Sequence, residues 1–414
     1  MAGDEFYDIH FHALSMSHPS LLSYLQTLRS RRLESIYSQV SSYDYLAKAM
    51  FRKGGERVQN LLAVMENEPG DTFLLMEDDL AGLYATSGDA LPLLSEGLLE
   101  VGGSSYGKLV AVPLIMDFSR PGPYKPDTYY NRLPQKPVEA QILDVLAGVK
   151  YYRRKRPGGF LELHPFLGID PANYSAASLA ALLDKWFCGF VPGRRAGASV
   201  FSRMKRYDLD GPSRAWSPFA GVKLYPPLGF DPWPTDPLER EKVEYLYAFC
   251  EKRRIPIVTH CDDQGFRVIS LEESWKRTSP RHYRSVLKRY PELWLDFAHL
   301  GQQYTSVRFR TPRSSWRDEI FSLMVEYPNV YADFSFNGVE ASYYVQLVEA
   351  LARLPAATRD IAETRIMFGS DFMINLAKVR SYADYFRIFG ASPLSAEQKR
   401  RYASENPRRF LFGE

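Results

Sequence analysis

Eight short apolar runs recur along the chain, separated by longer amphipathic or polar stretches. In order they are Phe6 to His12, Leu109 to Met116, Phe160 to Phe166, Gly221 to Tyr225, Ile255 to His260, Leu293 to His299, Val330 to Phe336 and Ile366 to Asp371, and each predicts a strand. Between the later ones, Leu238 to Arg254, Leu271 to Arg289, Asp318 to Tyr327 and Ala341 to Leu354 carry apolar residues at helical spacing and predict helices. Strand and helix in strict alternation point to a parallel sheet, and eight such units predict an α/β fold, the (β/α)8 TIM barrel. A doubly wound open sheet is the second architecture. It lacks support here, because no glycine-rich phosphate loop follows any of the runs.

The spacing predicts one barrel domain over residues 1–414 with two helical insertions, 13–107 after the first strand and 170–220 after the third. Leu21 to Met50 and Arg57 to Met65 read as helical pieces of the first, which is expected to cover the barrel mouth. The second holds a helical Ala176 to Phe187 and then Gly193-Arg194-Arg195-Ala196-Gly197. Gln302 to Trp316 is a third candidate lid, since long loops in a compact domain usually serve function.

Composition narrows the function classes. Lys and Arg total 52 against 49 Asp and Glu, a net charge of +3, so no overall field marks the chain as binding nucleic acid or a membrane surface. The basic run Lys150 to Arg156 precedes Pro157-Gly158-Gly159 and suits the C-terminal end of a helix, where cations complement the dipole, better than a phosphate-binding patch. The cysteines, 188, 250 and 261, show neither zinc-knuckle nor disulfide spacing, which fits a reducing, cytoplasmic setting. Asp4 and Glu5 stand where a signal peptide wants positive charge, and no segment approaches the ~18 apolar residues of a membrane span, so a soluble chain is expected.

Polar residues close four of the later runs: Lys223 in Gly221-Val222-Lys223-Leu224-Tyr225-Pro226, His260 in Ile257-Val258-Thr259-His260, His299 in Asp296-Phe297-Ala298-His299-Leu300-Gly301, and Asp371 in Met367-Phe368-Gly369-Ser370-Asp371-Phe372. A barrel builds its active site at the C-terminal ends of its strands. The intervals, 37 residues (260 − 223), 39 (299 − 260) and 72 (371 − 299), place these groups on successive strands with the seventh strand inside the last interval. On the first strand, alternation predicts Asp8, His10 and His12 on one face and Ile9 and Phe11 on the other. Two converging imidazoles are half of a metal site; alone, His10-Phe11-His12 reads equally as two histidines satisfied by hydrogen bonds.

Together this set resembles the metal-site pattern of the amidohydrolase superfamily. The surrounding segments Gly221 to Pro226, Ala298-His299-Leu300-Gly301, Val330-Tyr331-Ala332-Asp333-Phe334-Ser335 and Met367 to Phe372 are similar to its amidohydrolase-related branch, which includes aminocarboxymuconate-semialdehyde decarboxylase and several lactone hydrolases. The closing Glu405-Asn406-Pro407-Arg408-Arg409-Phe410 is similar to that branch's C-terminal helix. The resemblance covers the first strand and most of the chain from Leu109 onward, but neither insertion.

The resemblance implies His10, His12, His260 and Asp371 as ligands of a divalent metal, Zn²⁺ first and Mn²⁺, Fe²⁺ or Co²⁺ after it. It also implies a metal-activated water as nucleophile, with Asp371 accepting the water's proton and His299 polarising a carbonyl or serving the leaving group. Lys223 divides two versions of the site. As a carbamate it bridges to a second ion between His260 and His299; as an amine it orients substrate beside a single ion, the form that looks commoner in this branch. A bland third reading puts Lys223 in an outward salt bridge. Tyr225, which shares the parity of Lys223 and begins the stiff Pro226-Pro227 loop, is a substrate contact or a packed tyrosine. Glu162, His164 and Asp333 read as hydrogen-bond partners or core, and His18 and His282 as surface residues.

The expected activity is hydrolysis of a small amide, lactone or related substrate. The alternative is non-oxidative decarboxylation of an aromatic or unsaturated carboxylic acid, which needs the same residues plus an arginine for the substrate carboxylate. Arg267, Arg308 and Arg310 lie on loops that could supply one. A non-catalytic scaffold is disfavoured because no member of the set is substituted. The expected partner is a small-molecule substrate, not nucleic acid or membrane, and the chain is compatible with a homo-oligomer.

Overall fold

Each of the eight apolar runs forms a strand, and the eight run parallel around a TIM barrel. The computed structural model describes residues 4–16, 18, 55–84, 91–119, 138–194, 217–263, 265–267, 269–303 and 315–413. In chain order the strands are β1 (Glu5–Phe11), β2 (Leu94–Ser95), β3 (Leu98–Val101), β4 (Ser104–Tyr106), β5 (Lys108–Pro113), β6 (Leu161–Leu163), β7 (Phe166–Gly168), β8 (Gly221–Leu224), β9 (Ile257–Thr259), β10 (Leu295–Phe297), β11 (Val330–Asp333) and β12 (Ile366–Met367).

Two parallel ladders, β1-β5-β6 and β7-β8-β9-β10-β11-β12, account for the ring. β6 and β7 are one expected strand interrupted at His164-Pro165, because proline has no N–H to give the ladder. The ladders meet on one side where Leu114 bridges Phe166. On the other side Phe11 bridges Phe372, Ile9 N donates to Phe368 O at 3.3 Å, and Asp371 N donates to His10 O at 2.7 Å. These last contacts bring the first and last strands together, and with them the His-x-His stretch and Asp371.

Side chains sort into two apolar groups. An outer one, between strands and helices, includes Phe6, Leu109, Leu163, Val222, Leu295 and Phe368. An inner one fills the barrel with Tyr7, Ile9, Val110, Val112, Val258 and Met367, and receives Phe410 and Phe412 from the closing helix Asn406–Phe412. Phe410 stacks near Tyr331 and Trp294, at the N-terminal ends of their strands, leaving the opposite end for polar groups.

Three expectations change. The Leu271 to Arg289 segment is not one helix: Pro280 splits it into a helix Leu271–Thr278, a 3₁₀ turn Pro280–Tyr283 and a helix Arg284–Arg289. The first crossover contains helices Gly55–Met65 and Pro69–Leu80, and also an antiparallel sheet β2-β3-β4 that the helical reading did not foresee. Alternation on β1 fails, because the register shifts between Asp8 and Phe11: Asp8 faces Ser370 and Tyr382 outside the barrel while Ile9 joins the inner group. Elsewhere the basic run behaves as a helix end, with Arg153, Arg154 and Lys155 in the last turn of Val138–Lys155 and Arg156 paired to Asp78 at 2.7 Å. Leu21 to Met50, residues 195–197 and residues 304–314 lie outside the described residues. Cys188, Cys250 and Cys261 are free thiols, and no described helix is long and apolar enough to cross a membrane.

Candidate functional site

The C-terminal ends of β1, β8, β9, β10 and β12 bring His10, His12, Lys223, His260, His299 and Asp371 together, each at most 5% exposed. Their ligand atoms fall into two groups, His10 with His12 and Asp371, and His260 with Asp262 and His299, linked by the His10 and His299 rings at 5.0 Å. Gly369 makes room for this packing: a Cβ there would sit 2.7 Å from the His10 Cβ.

Hydrogen bonding fixes which imidazole nitrogen carries its proton. His10 Nδ1 lies 2.8 Å from Asp333 Oδ2, and His12 Nδ1 lies 3.2 Å from the Leu114 carbonyl. Neither oxygen can donate, so both Nδ1 atoms do, and both Nε2 atoms keep a lone pair, that of His10 with Lys223 Nζ 3.5 Å away. They face Asp371 Oδ1 at 3.6 and 3.2 Å, and that oxygen is buried and accepts no well-formed hydrogen bond. The second group repeats the pattern. His299 Nδ1 donates to the Ser335 carbonyl at 2.9 Å, His260 Nε2 donates to Asp262 Oδ1 at 3.0 Å, and the remaining nitrogens, His299 Nε2 and His260 Nδ1, face each other at 3.1 Å. Acceptors crowded against acceptors without a proton between them repel, and a cation relieves this; the donor set therefore fits a divalent metal.

Electrostatics favour neutral imidazoles at His10 and His260. Burial, reinforced by the nearby Lys223, holds His10 down to about 3, and burial likewise lowers His260. Burial alone would raise the carboxyls of Asp371 and Asp333, but the imidazoles around the first, His12 nearest, and the hydrogen bond from His10 Nδ1 to the second outweigh it, and both are held below the ordinary range. Lys223, 1% exposed with Nζ 3.5 Å from His10 Nε2, is brought down to about 8 by burial, so the outward salt-bridge reading is wrong.

The surrounding residues complete the picture. The Tyr225 ring lies 4.5 Å from the His260 ring, and its hydroxyl accepts from Phe266 N at 3.1 Å. Gly265, at φ +90°, lets that loop close over the pair, since a Cβ there would lie 3.0 Å from His260 Nε2. Glu162 and His164 bond each other at 2.7 Å. Arg267 is buried on the loop after His260, whereas Arg308 and Arg310 lie outside the described residues. His18 is not a surface residue: it is 1% exposed and meets Asp144 at 3.0 Å, joining the loop after β1 to the helix Val138–Lys155. His282 is half-exposed and bonds Asp231. Two acidic groups were not singled out from the sequence. Asp262 had a usable signal in the His260-Cys261-Asp262 spacing. Asp296 had none in a strand of apolar neighbours; burial and the adjacent Asp333 push its carboxyl well above the usual range.

A model of the amidohydrolase family matches residues 154–413 of the chain. No curated protein matches. Similar solved structures include an uncharacterized TIM-barrel protein from Bordetella bronchiseptica, 14% identical over 98% of both chains with a TM-score of 0.48. Another is 2,6-dihydroxybenzoate decarboxylase from Rhizobium, 12% identical over 99% of both chains with a TM-score of 0.43. A third is a probable 2-pyrone-4,6-dicarboxylic acid hydrolase from Acinetobacter baumannii, 11% identical over 99% of both chains with a TM-score of 0.45.

Proposed function

The chain belongs to the amidohydrolase family, whose members are enzymes, and on that premise we propose that it is a metal-dependent hydrolase acting on the carbonyl of a small amide, lactone or related substrate. The observation that carries the reading is the convergence of two imidazole Nε2 lone pairs, that of His10 approached by Lys223 Nζ, on an unsatisfied carboxylate oxygen at His10, His12 and Asp371. His10, His12 and Asp371 would hold the ion, the number of protein ligands that catalytic sites use. An ion held there, Zn²⁺ by preference, would supply a water of pKa lowered toward ~7 as nucleophile at neutral pH.

The chain's own groups supply the rest. Asp371, whose carboxyl is held below the ordinary range, would accept a proton from the attacking water. His299, anchored through Nδ1, would polarise the substrate carbonyl or serve the leaving group only after taking up a proton at Nε2. Lys223 would orient substrate as an amine, with the Tyr225 ring centred 5.7 Å from its Nζ as a substrate contact.

Metal content per chain and a turnover panel test this. The expected result is chelator-sensitive hydrolysis of amides or lactones, restored by Zn²⁺, with one ion per chain if only the first group binds and two if His260 and His299 hold another. Carbon dioxide release from carboxylic acids, with no hydrolysis, would replace the hydrolase reading with the decarboxylase one. Full activity in metal-free protein would end both.

A further inference from the structure

We propose that Asp8, which contacts no ligand atom of the site, is a positioning residue that locks the backbones carrying His10 and Asp371 into one register. The inference rests on the proposed metal reading of those two residues.

Asp8 is fully buried, on the outer side of β1. Its Oδ1 accepts from His10 N at 3.3 Å and Ser370 N at 2.8 Å; its Oδ2 accepts from Ser370 Oγ at 2.6 Å and Tyr382 Oη at 2.9 Å. One carboxylate thus joins the strand that bears His10 to the residue just before Asp371. Ser370 extends the clamp past Asp371, because its Oγ accepts from Phe372 N at 3.0 Å. Asn375 Nδ2 holds the Ser370 carbonyl at 2.9 Å, and Asp371 N donates back to His10 O at 2.7 Å.

The clamp is placed where the chain resists its own conformation. Asp371 has φ +56°, a left-handed geometry that an L-residue adopts at a cost and keeps only when its surroundings impose it. Both amides flanking Asp371 in sequence, those of Ser370 and Phe372, are tied to Asp8 directly or through the Ser370 hydroxyl. The register shift on β1 is what turns Asp8 outward to reach them.

Two variants separate positioning from plain stability. Ser370→Ala keeps the backbone bond from residue 370 to Asp8 but removes the hydroxyl's bonds to Asp8 and Phe372 N, the half of the clamp that reaches past Asp371, whereas Tyr382→Phe removes a bond to the same carboxylate that leads nowhere near a ligand. Zn²⁺ affinity of the metal-stripped full-length protein, by chelator competition, and its Tm are measured for both. Ser370→Ala is expected to weaken Zn²⁺ binding about tenfold or more, while Tyr382→Phe stays within about threefold at a similar loss of Tm. Equal affinities in the two variants, or losses that track Tm, would overturn the proposal. Wild-type protein that takes up no Zn²⁺ would overturn the metal reading itself, a distinct result.

Discussion

Replacing Asp333 with asparagine should cost metal binding far more than folding. Its Oδ1 accepts from two backbone amides, Ser335 N at 2.8 Å and His299 N at 3.2 Å, and its Oδ2 accepts from His10 Nδ1 at 2.8 Å. In Asp333→Asn the two backbone donors compel the amide oxygen to keep the first position, so the amide NH₂ must face His10. A donor now confronts a donor. The imidazole escapes by moving its proton to Nε2, which keeps the hydrogen bond but consumes the lone pair offered toward Asp371. The three hydrogen bonds survive in number, so unfolding free energy of the metal-free protein should fall by only about 1–2 kcal/mol, the difference between charge-assisted and neutral bonds. Metal affinity should fall at the upper end of the 10–100-fold range known for outer partners of ligating histidines, up to about 2.7 kcal/mol. Zn²⁺ competition and chemical denaturation of the metal-free variant read the two numbers separately. Wild-type Zn²⁺ affinity in Asp333→Asn would refute the assigned His10 tautomer and with it the ligand geometry.

Two further predictions concern other acids. Asp371→Asn should keep the circular dichroism spectrum and lose nearly all turnover; substantial residual activity would remove Asp371 from proton transfer. Asp296 has its carboxyl pK raised by burial and by Asp333, so the folded state binds its proton more tightly and stability is lost as pH rises above the unfolded value near ~4, by about 1.4 kcal/mol per pH unit until the native carboxyl ionises. Asp296→Asn removes that loss, and the variant should gain stability over wild type from pH 5 to pH 8 in denaturation curves. A gap that stays constant or narrows with rising pH would contradict it.

The eight strands were legible because a parallel barrel buries both strand faces, leaving nearly continuous apolar runs that end where the active-site rim begins. Lys223, His260, His299 and Asp371 stood out for that reason, as ionisable groups at or near the C-terminal ends of such runs. What stayed hidden depends on departures from period two or on contacts across the barrel. The register shift that sends Asp8 outward leaves no mark in Phe6-Tyr7-Asp8-Ile9-His10, and His18 looks like any loop histidine until Asp144 arrives from 126 residues away. The division of ligands into two groups, each with its own carboxylate, likewise needed coordinates, since Asp262 comes from the loop after β9 while Asp371 follows β12.

Backbone strain points to the same place as the hydrogen bonds. Six non-glycine residues among those described have positive φ, and four of them, His299, Leu300, Phe336 and Asp371, lie just past the C-terminal ends of β10, β11 and β12. Each such residue costs on the order of 1 kcal/mol or more, so the rim opposes local preference at three adjacent strand ends. The bonds holding it there are buried and specific: Asn337 Nδ2 donates to His299 O at 2.7 Å, Asp333 receives His299 N, and the Asp8–Ser370 pair brackets Asp371. A chain needing only a stable barrel would gain by relaxing these turns. Keeping them makes sense if aiming His299 and Asp371 inward serves a ligand that returns the strain on binding, which is the behaviour expected of a metal centre and not of a packed core.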